Sequence, residues 1–172
     1  MTEVIPESQL FHEEQKFRQV WLWAVVLLLA GLAWLVFIQQ IVRGIPFGSR
    51  PAPDFVIWIL VLVVGVGLVW LLAKATLTTV VTNDHVRLRF FPIWSRTIPL
   101  KAIKSVQARD YRPIWEYGGW GIRWSPIWGM AYNVSGNRGV QLVLTNGKKV
   151  LIGSQKADEL EAAIRRGMIG LT

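Results

Sequence analysis

The sequence predicts a membrane α+β protein. It should hold a transmembrane helical hairpin, then a small antiparallel β-barrel or sandwich closed by a C-terminal helix. Three observations predict it. Two uncharged apolar runs stand before Lys74. After Ala73 the apolar residues switch to a period of two, the signature of half-buried strands. The last apolar positions, Ala157, Leu160, Ile164 and Met168, return to helical spacing.

Composition agrees with this class. The 172 residues are 52% apolar but only 17% charged, against roughly 25% charged in soluble domains. That balance excludes a disordered chain. With no cysteine in the sequence, disulfides, thiolate zinc sites and a cysteine nucleophile are excluded as well.

Residues 1–19 are polar. They carry Glu3, Glu7, Glu13 and Glu14 against Lys16 and Arg18, unlike the basic start of a cleaved signal peptide. The following run, 20–42, reads as a retained first span. Residues 43–54 (RGIPFGSRPAPD) form a short loop of prolines and glycines, and 55–74 form the second span. Their continuous apolar cores, Val20–Ile38 and Phe55–Ala73, have 19 residues each, which cover roughly 28 Å as a helix, enough for a hydrocarbon core of roughly 30 Å. So short a loop makes the spans an antiparallel hairpin with both termini on one side. Lys16, Arg18, Lys74, Arg87 and Arg89 stand on that side, and Arg43 and Arg50 on the other. The positive-inside rule then puts both termini and the β domain in the cytoplasm.

Trp21, Trp23 and Trp70 fit the cytoplasmic interface and Trp58 the opposite one, with Trp34 deeper. Neither apolar run holds an ionisable residue, and transport pathways need such groups, so a transporter or channel is not expected. Gly31, Ala33, Gly65 and Gly67 permit close helix packing, within the hairpin or against an outside partner.

Residues 75–172 read as the β domain. Thr76–Thr82 is rich in β-branched residues. Residues 85–91 alternate Val86, Leu88 and Phe90 inward with His85, Arg87 and Arg89 outward. Residues 97–100 and 103–111 give two further strands, the second with Ile103, Val106 and Ala108 inward. Val140, Leu142 and Leu144 lead to Asn146-Gly147, with Val150 and Ile152 beyond. This predicts a two-residue hairpin turn with those four aliphatic residues, Leu142, Leu144, Val150 and Ile152, buried. Ser154 is the expected N-cap of a helix over 155–168, and Gly167 its expected stop. The total is six or seven antiparallel strands and one helix.

The stretch FFPIWSRTIPLKAIKSV (Phe90–Val106) after a helix pair resembles small bacterial membrane proteins that carry a pleckstrin-homology-like (PH-like) domain. So do EYGGWGIR (Glu116–Arg123), YNVSGNRGVQL (Tyr132–Leu142) and NGKKVLIGSQ (Asn146–Gln155). The resemblance implies a PH-like fold over roughly residues 20–168. It implies no catalytic residues. PH-like folds commonly bind lipids or peptides, an analogy of fold.

Chemistry is sparse. Gly118, Gly119 and Gly121 lack the lysine of a phosphate loop and read as a turn. Asn133–Gly139 also reads as a turn. His12 and His85 stand far apart, with no carboxylate at metal-ligand spacing. No enzyme, cofactor, metal or small-molecule substrate is expected.

The unusual segment is Tyr111–Trp128, with Trp115, Trp120, Trp124, Trp128, Arg112 and Arg123. Its aromatic area exceeds what one wall of a small barrel hides. At least one tryptophan should therefore be exposed at an interface, with Trp128 the first choice. The net charge of +8 suits anionic headgroups or an acidic protein surface. Arg87, Arg89, Arg96, Lys101 and Lys104 are the candidate contacts. Scattered along strands, these residues do not suit nucleic acid.

Two functions follow as expectations. One is an accessory or scaffolding subunit that docks to other integral membrane subunits and stabilises a larger complex, with respiratory and photosynthetic assemblies as candidates. The other is a bilayer-anchored PH-like module that binds anionic lipid headgroups or a signalling partner.

Overall fold

The computed structural model describes residues 9–170; Glu3 and Glu7 lie outside them. The chain divides into two units. Phe17–Ala75 forms one, and the residues up to Lys16 together with Thr76 onward form the other.

In chain order the elements are β1 (Phe11–Lys16), then α1 (Val20–Val42) and α2 (Asp54–Lys74). The strands β2 (Thr76–Val81), β3 (His85–Phe91), β4 (Trp94–Pro99) and β5 (Ile103–Asp110) follow. After the short helix α3 (Pro113–Tyr117) come β6 (Gly121–Ser125), β7 (Gly129–Asn133), β8 (Arg138–Leu144) and β9 (Lys149–Gly153). Helix α4 (Ala157–Ile169) is last.

The helical unit is two helices of 23 and 21 residues, each long and apolar enough to cross a membrane. They meet along a seam of small and β-branched residues. Val26, Ala30 and Ala33 are buried from α1, and Ile57, Val61 and Gly65 from α2. Gly65 belongs to this internal contact. A Cβ there would stand 3.0 Å from Trp34 Nε1, whose N–H points at the Gly65 carbonyl at 3.4 Å. Gly31 faces open space, and Gly67 is half-buried. Phe37 packs edge-on against Trp58 with centroids 4.7 Å apart. Beyond that end, Gln40 Nε2 donates to Ala52 O at 2.7 Å and to Asp54 Oδ1 at 3.0 Å, closing the loop between the helices.

The β unit holds two sheets, ordered β1-β2-β3-β4 and β5-β8-β9-β7-β6. They are separate open sheets rather than one closed barrel. The chain leaves β4 through a turn of 3-10 helix at Leu100–Ala102, so β5 joins the second sheet. That sheet is mixed, because β7 pairs parallel to β9 while the other pairings are antiparallel. Among the described residues nine strands replace the six or seven expected. The three unforeseen ones are β1, β6 and β7.

β1 lies within the segment read as merely polar. Its Lys16 stands opposite Thr76 of β2, so the chain departs toward α1 and returns from α2 at one edge of one sheet. Phe11, Glu13 and Gln15 are the inward residues of β1.

The core gathers Leu77, Val81, Val86, Leu88 and Ile98 from the first sheet, and Val140, Leu142, Val150 and Ile152 from the second. Leu142, Leu144, Val150 and Ile152 are buried as the alternation predicts. Ala157, Leu160, Ala163 and Ile164 of α4 add one helical face.

Three local expectations are corrected. The turn at Asn146-Gly147 is not a two-residue type I′ turn. Among the described residues only glycines have positive φ, so Asn146 cannot fill its first position, and within this turn Gly147 at φ 79° alone takes the left-handed region. Gly147 N–H donates to Leu144 O and Leu144 N–H to Lys148 O, each at 2.9 Å, the type I turn with a glycine bulge. Next, α4 starts at Ala157. Ser154 lies before it, accepting from Lys156 N–H at 3.0 Å while donating its hydroxyl to Glu13. Finally, Gly167 does not end the helix. It lies inside α4 where a Cβ would stand 2.5 Å from Leu100 Cδ1, so its smallness serves close packing.

Candidate interaction surface

The segment from Tyr111 to Trp128 holds α3 and β6, the edge strand of the second sheet. Tyr111, Tyr117, Ala131 and Leu151 form a buried cluster there. Pro113 starts α3, where its missing N–H costs nothing, and Gly118 at φ 74° stops it.

Glu116 ties this helix to β5. Its carboxylate accepts from Arg109 Nη2 at 2.6 Å and from Arg112 N–H at 2.8 Å. Burial alone would raise this carboxyl. The Arg109 guanidinium and the Arg112 N–H outweigh it and hold the group below its ordinary value. Burial pushes the Tyr111 phenol up to about 12 and raises that of Tyr117.

The four tryptophans have four different environments. Trp128 has two cations over its ring, with Arg109 Cζ 5.0 Å and Lys149 Nζ 5.7 Å from the centroid. Trp120 is half-buried and donates to Gly136 O at 3.0 Å. Trp115 and Trp124 are the open ones, at 86% and 68% exposure. The ring most exposed is thus on α3, and Trp128, the first choice from sequence, is exposed to a smaller extent, at 36%. Arg123 donates to Trp120 O at 3.0 Å, and Arg112 is exposed beside α3.

Trp124, Pro126 and Ile127 border a groove of about 510 Å³, whose other walls include Arg96, Lys148 and Lys149. Ile127 is 69% exposed. The groove carries three cations and no carboxylate. Its place follows from hydrogen bonds. Thr145 N–H donates to Ala102 O, and Leu100 N–H to Asp84 O. The β8–β9 turn thus lies beside the β2–β3 turn, at the opposite end of the first sheet from Lys16 and Thr76.

The five candidate basic contacts do not share one face. Arg87 and Arg89 project from the exposed side of β3. Arg96 stands opposite the buried Leu88, so it points to the other side, where it donates to the Tyr132 hydroxyl at 3.2 Å. Lys101 and Lys104 are exposed on the connector and on β5. Sequence reasoning missed Lys148 and Lys149. Their signal was the position after Asn146-Gly147, at a hairpin tip.

A second apolar tip joins β3 to β4. Phe91 is 39% and Ile93 63% exposed there, and Arg89 lies over the Phe91 ring at 5.4 Å. Among the described residues no cluster of side chains could hold a metal ion.

No curated protein matches the chain. Over residues 3–170 it matches the family of unknown function DUF6141, and the chain belongs to that family.

Proposed function

We propose that this protein is a non-catalytic accessory subunit. The two apolar helices anchor it in a bacterial inner membrane, and the β unit, read as a PH-like domain on the cytoplasmic side, docks an acidic protein surface. The observation that carries the reading is the groove beside Trp124 and Ile127. It combines the exposed Trp124 ring and the exposed Ile127 side chain with Arg96, Lys148 and Lys149, and its lining holds no carboxylate. A surface of cations around apolar side chains, with no carboxylate of its own, is complementary to an acidic protein surface. Aromatic anchors among cations are what interface hot spots use, and exposed apolar patches of this kind mark interaction sites.

The test is extraction in mild detergent followed by native sizing and mass spectrometry. The wild-type chain should migrate in an assembly larger than its own mass. Trp124→Ala combined with Ile127→Asp should release it. Wild-type chain migrating alone, or both chains migrating alike in the assembly, overturns the reading. A reporter fused after Thr172 that is active only in the periplasm overturns the cytoplasmic placement.

A further inference from the structure

We propose that the β3–β4 turn, Phe91–Trp94, dips into the headgroup layer of the membrane as a second contact for the β unit. Arg89 there would meet lipid phosphate. The proposal rests on the reading that α1 and α2 span a bilayer.

The register of the first sheet carries it. Lys16, Thr76 and Phe91 stand side by side across β1, β2 and β3. Thr76 is the second residue after Lys74, the end of α2, and two residues reach at most about 7 Å. The edge holding Phe91 is therefore held close to where the chain leaves the bilayer. The other end of β2, by Asp84, lies about 20 Å further along the strand at ~3.3 Å per residue.

The composition of the tip suits that position. Phe91, Pro92, Ile93 and Trp94 line a shallow hollow of about 360 Å³ with Arg89 and Ser95. Ile93 is 63% exposed at the apex, a poor place for an isoleucine in water. Trp94 stacks on Tyr132 with centroids 4.7 Å apart, which fixes the base of the tip. Arg89 stands opposite Ser95 and brings a cation to the same hollow. An apolar apex above an amphipathic ring and a cation is the arrangement that membrane interfaces favour.

The absence of cysteine gives a clean experiment. Ile93→Cys, Asp84→Cys and Leu62→Cys, each in the full chain, are labelled with an environment-sensitive fluorophore. The proteins are reconstituted into vesicles of phosphatidylcholine and phosphatidylglycerol that carry a lipid-borne quencher. The expected result is strong quenching at Leu62→Cys, severalfold stronger quenching at Ile93→Cys than at Asp84→Cys, and weakening of the Ile93→Cys signal by Arg89→Gln. Quenching at Leu62→Cys with Ile93→Cys left in water overturns the proposed tip. Equal quenching at Ile93→Cys and Asp84→Cys overturns the edge-on placement. No quenching at Leu62→Cys overturns the spanning reading beneath it.

Discussion

Glu13 of β1 accepts a hydrogen bond from the Ser154 hydroxyl at 2.6 Å and another from Gln155 N–H at 2.8 Å. An acidic residue from the start of the chain thereby holds the junction between β9 and α4. Gln15 adds to the stitch, donating to Gly153 O at 2.8 Å. Glu13 is 8% exposed, so its removal leaves buried donors without a partner. Glu13→Ala should cost about 2 kcal/mol, read as a lower midpoint in denaturant unfolding of the detergent-solubilised chain. Glu13→Gln, which keeps an acceptor, should lose less. An unchanged midpoint for Glu13→Ala would remove β1 from the stabilising core.

The period-two reading of β8 and β9 makes a firmer demand. Leu142 is fully buried and stands opposite Val150. Truncation there opens a cavity between the sheets. Leu142→Ala should lower stability by about 2–5 kcal/mol, measured by the same unfolding assay. A loss confined to a few tenths of that would mean the site collapses around the smaller residue.

These two residues show why some strands were legible and others were not. Val86, Leu88 and Phe90, and Val140, Leu142 and Leu144, alternate apolar with polar, so their inward faces are visible in the sequence. β1 buries Glu13 and Gln15, whose partners, Ser154 and Gly153, lie far along the chain. A rule based on apolar periodicity cannot see them. β6 and β7 carry glycine at their first positions and break the pattern similarly. The spans are read from length and lack of charge, which need no tertiary partner. The interaction surface is half-legible. The richness in tryptophan is evident from composition, but which ring stays open depends on where Arg109 and Lys149 fold.

Gly167 tests close packing of α4. A methyl group there would meet Leu100 Cδ1 at 2.5 Å and Thr82 O at 3.3 Å. Gly167→Ala gains helix propensity of about 1 kcal/mol yet overpacks the site by about 1–3 kcal/mol. Net destabilisation is expected, and Gly167→Leu should be worse. A stabilised Gly167→Ala would show that Leu100 moves aside freely.

The Arg109–Glu116 pair predicts an acid-sensitive contribution. The Glu116 carboxyl is held below its ordinary value in the fold. A depressed folded pKa contributes stability above the unfolded value, about 4.3. That contribution is lost as pH falls through the folded value. Unfolding midpoints measured downward from pH 6 should therefore drop through the acid range in the wild-type chain. Glu116→Gln should begin lower and fall less steeply. Parallel profiles would assign the acid loss to other carboxylates.

Trp124 and Trp128 should separate folding from docking. Trp128 is clasped by Arg109 and Lys149, and its carbonyl accepts from the Tyr117 hydroxyl at 3.3 Å. Two cation–π contacts of about 0.5–1 kcal/mol each make Trp128→Ala a stability variant, losing about 1–2 kcal/mol. Trp124 is 68% exposed, and a surface truncation of that kind should leave the midpoint within about 0.5 kcal/mol. If Trp124 anchors a partner, its removal should weaken association by about 2 kcal/mol or more. Paired measurements of unfolding midpoint and retention in the native assembly decide between the roles. Should Trp128→Ala release the partner while Trp124→Ala retains it, the anchor is the clasped ring, and the groove bordered by Trp124 is not the docking surface.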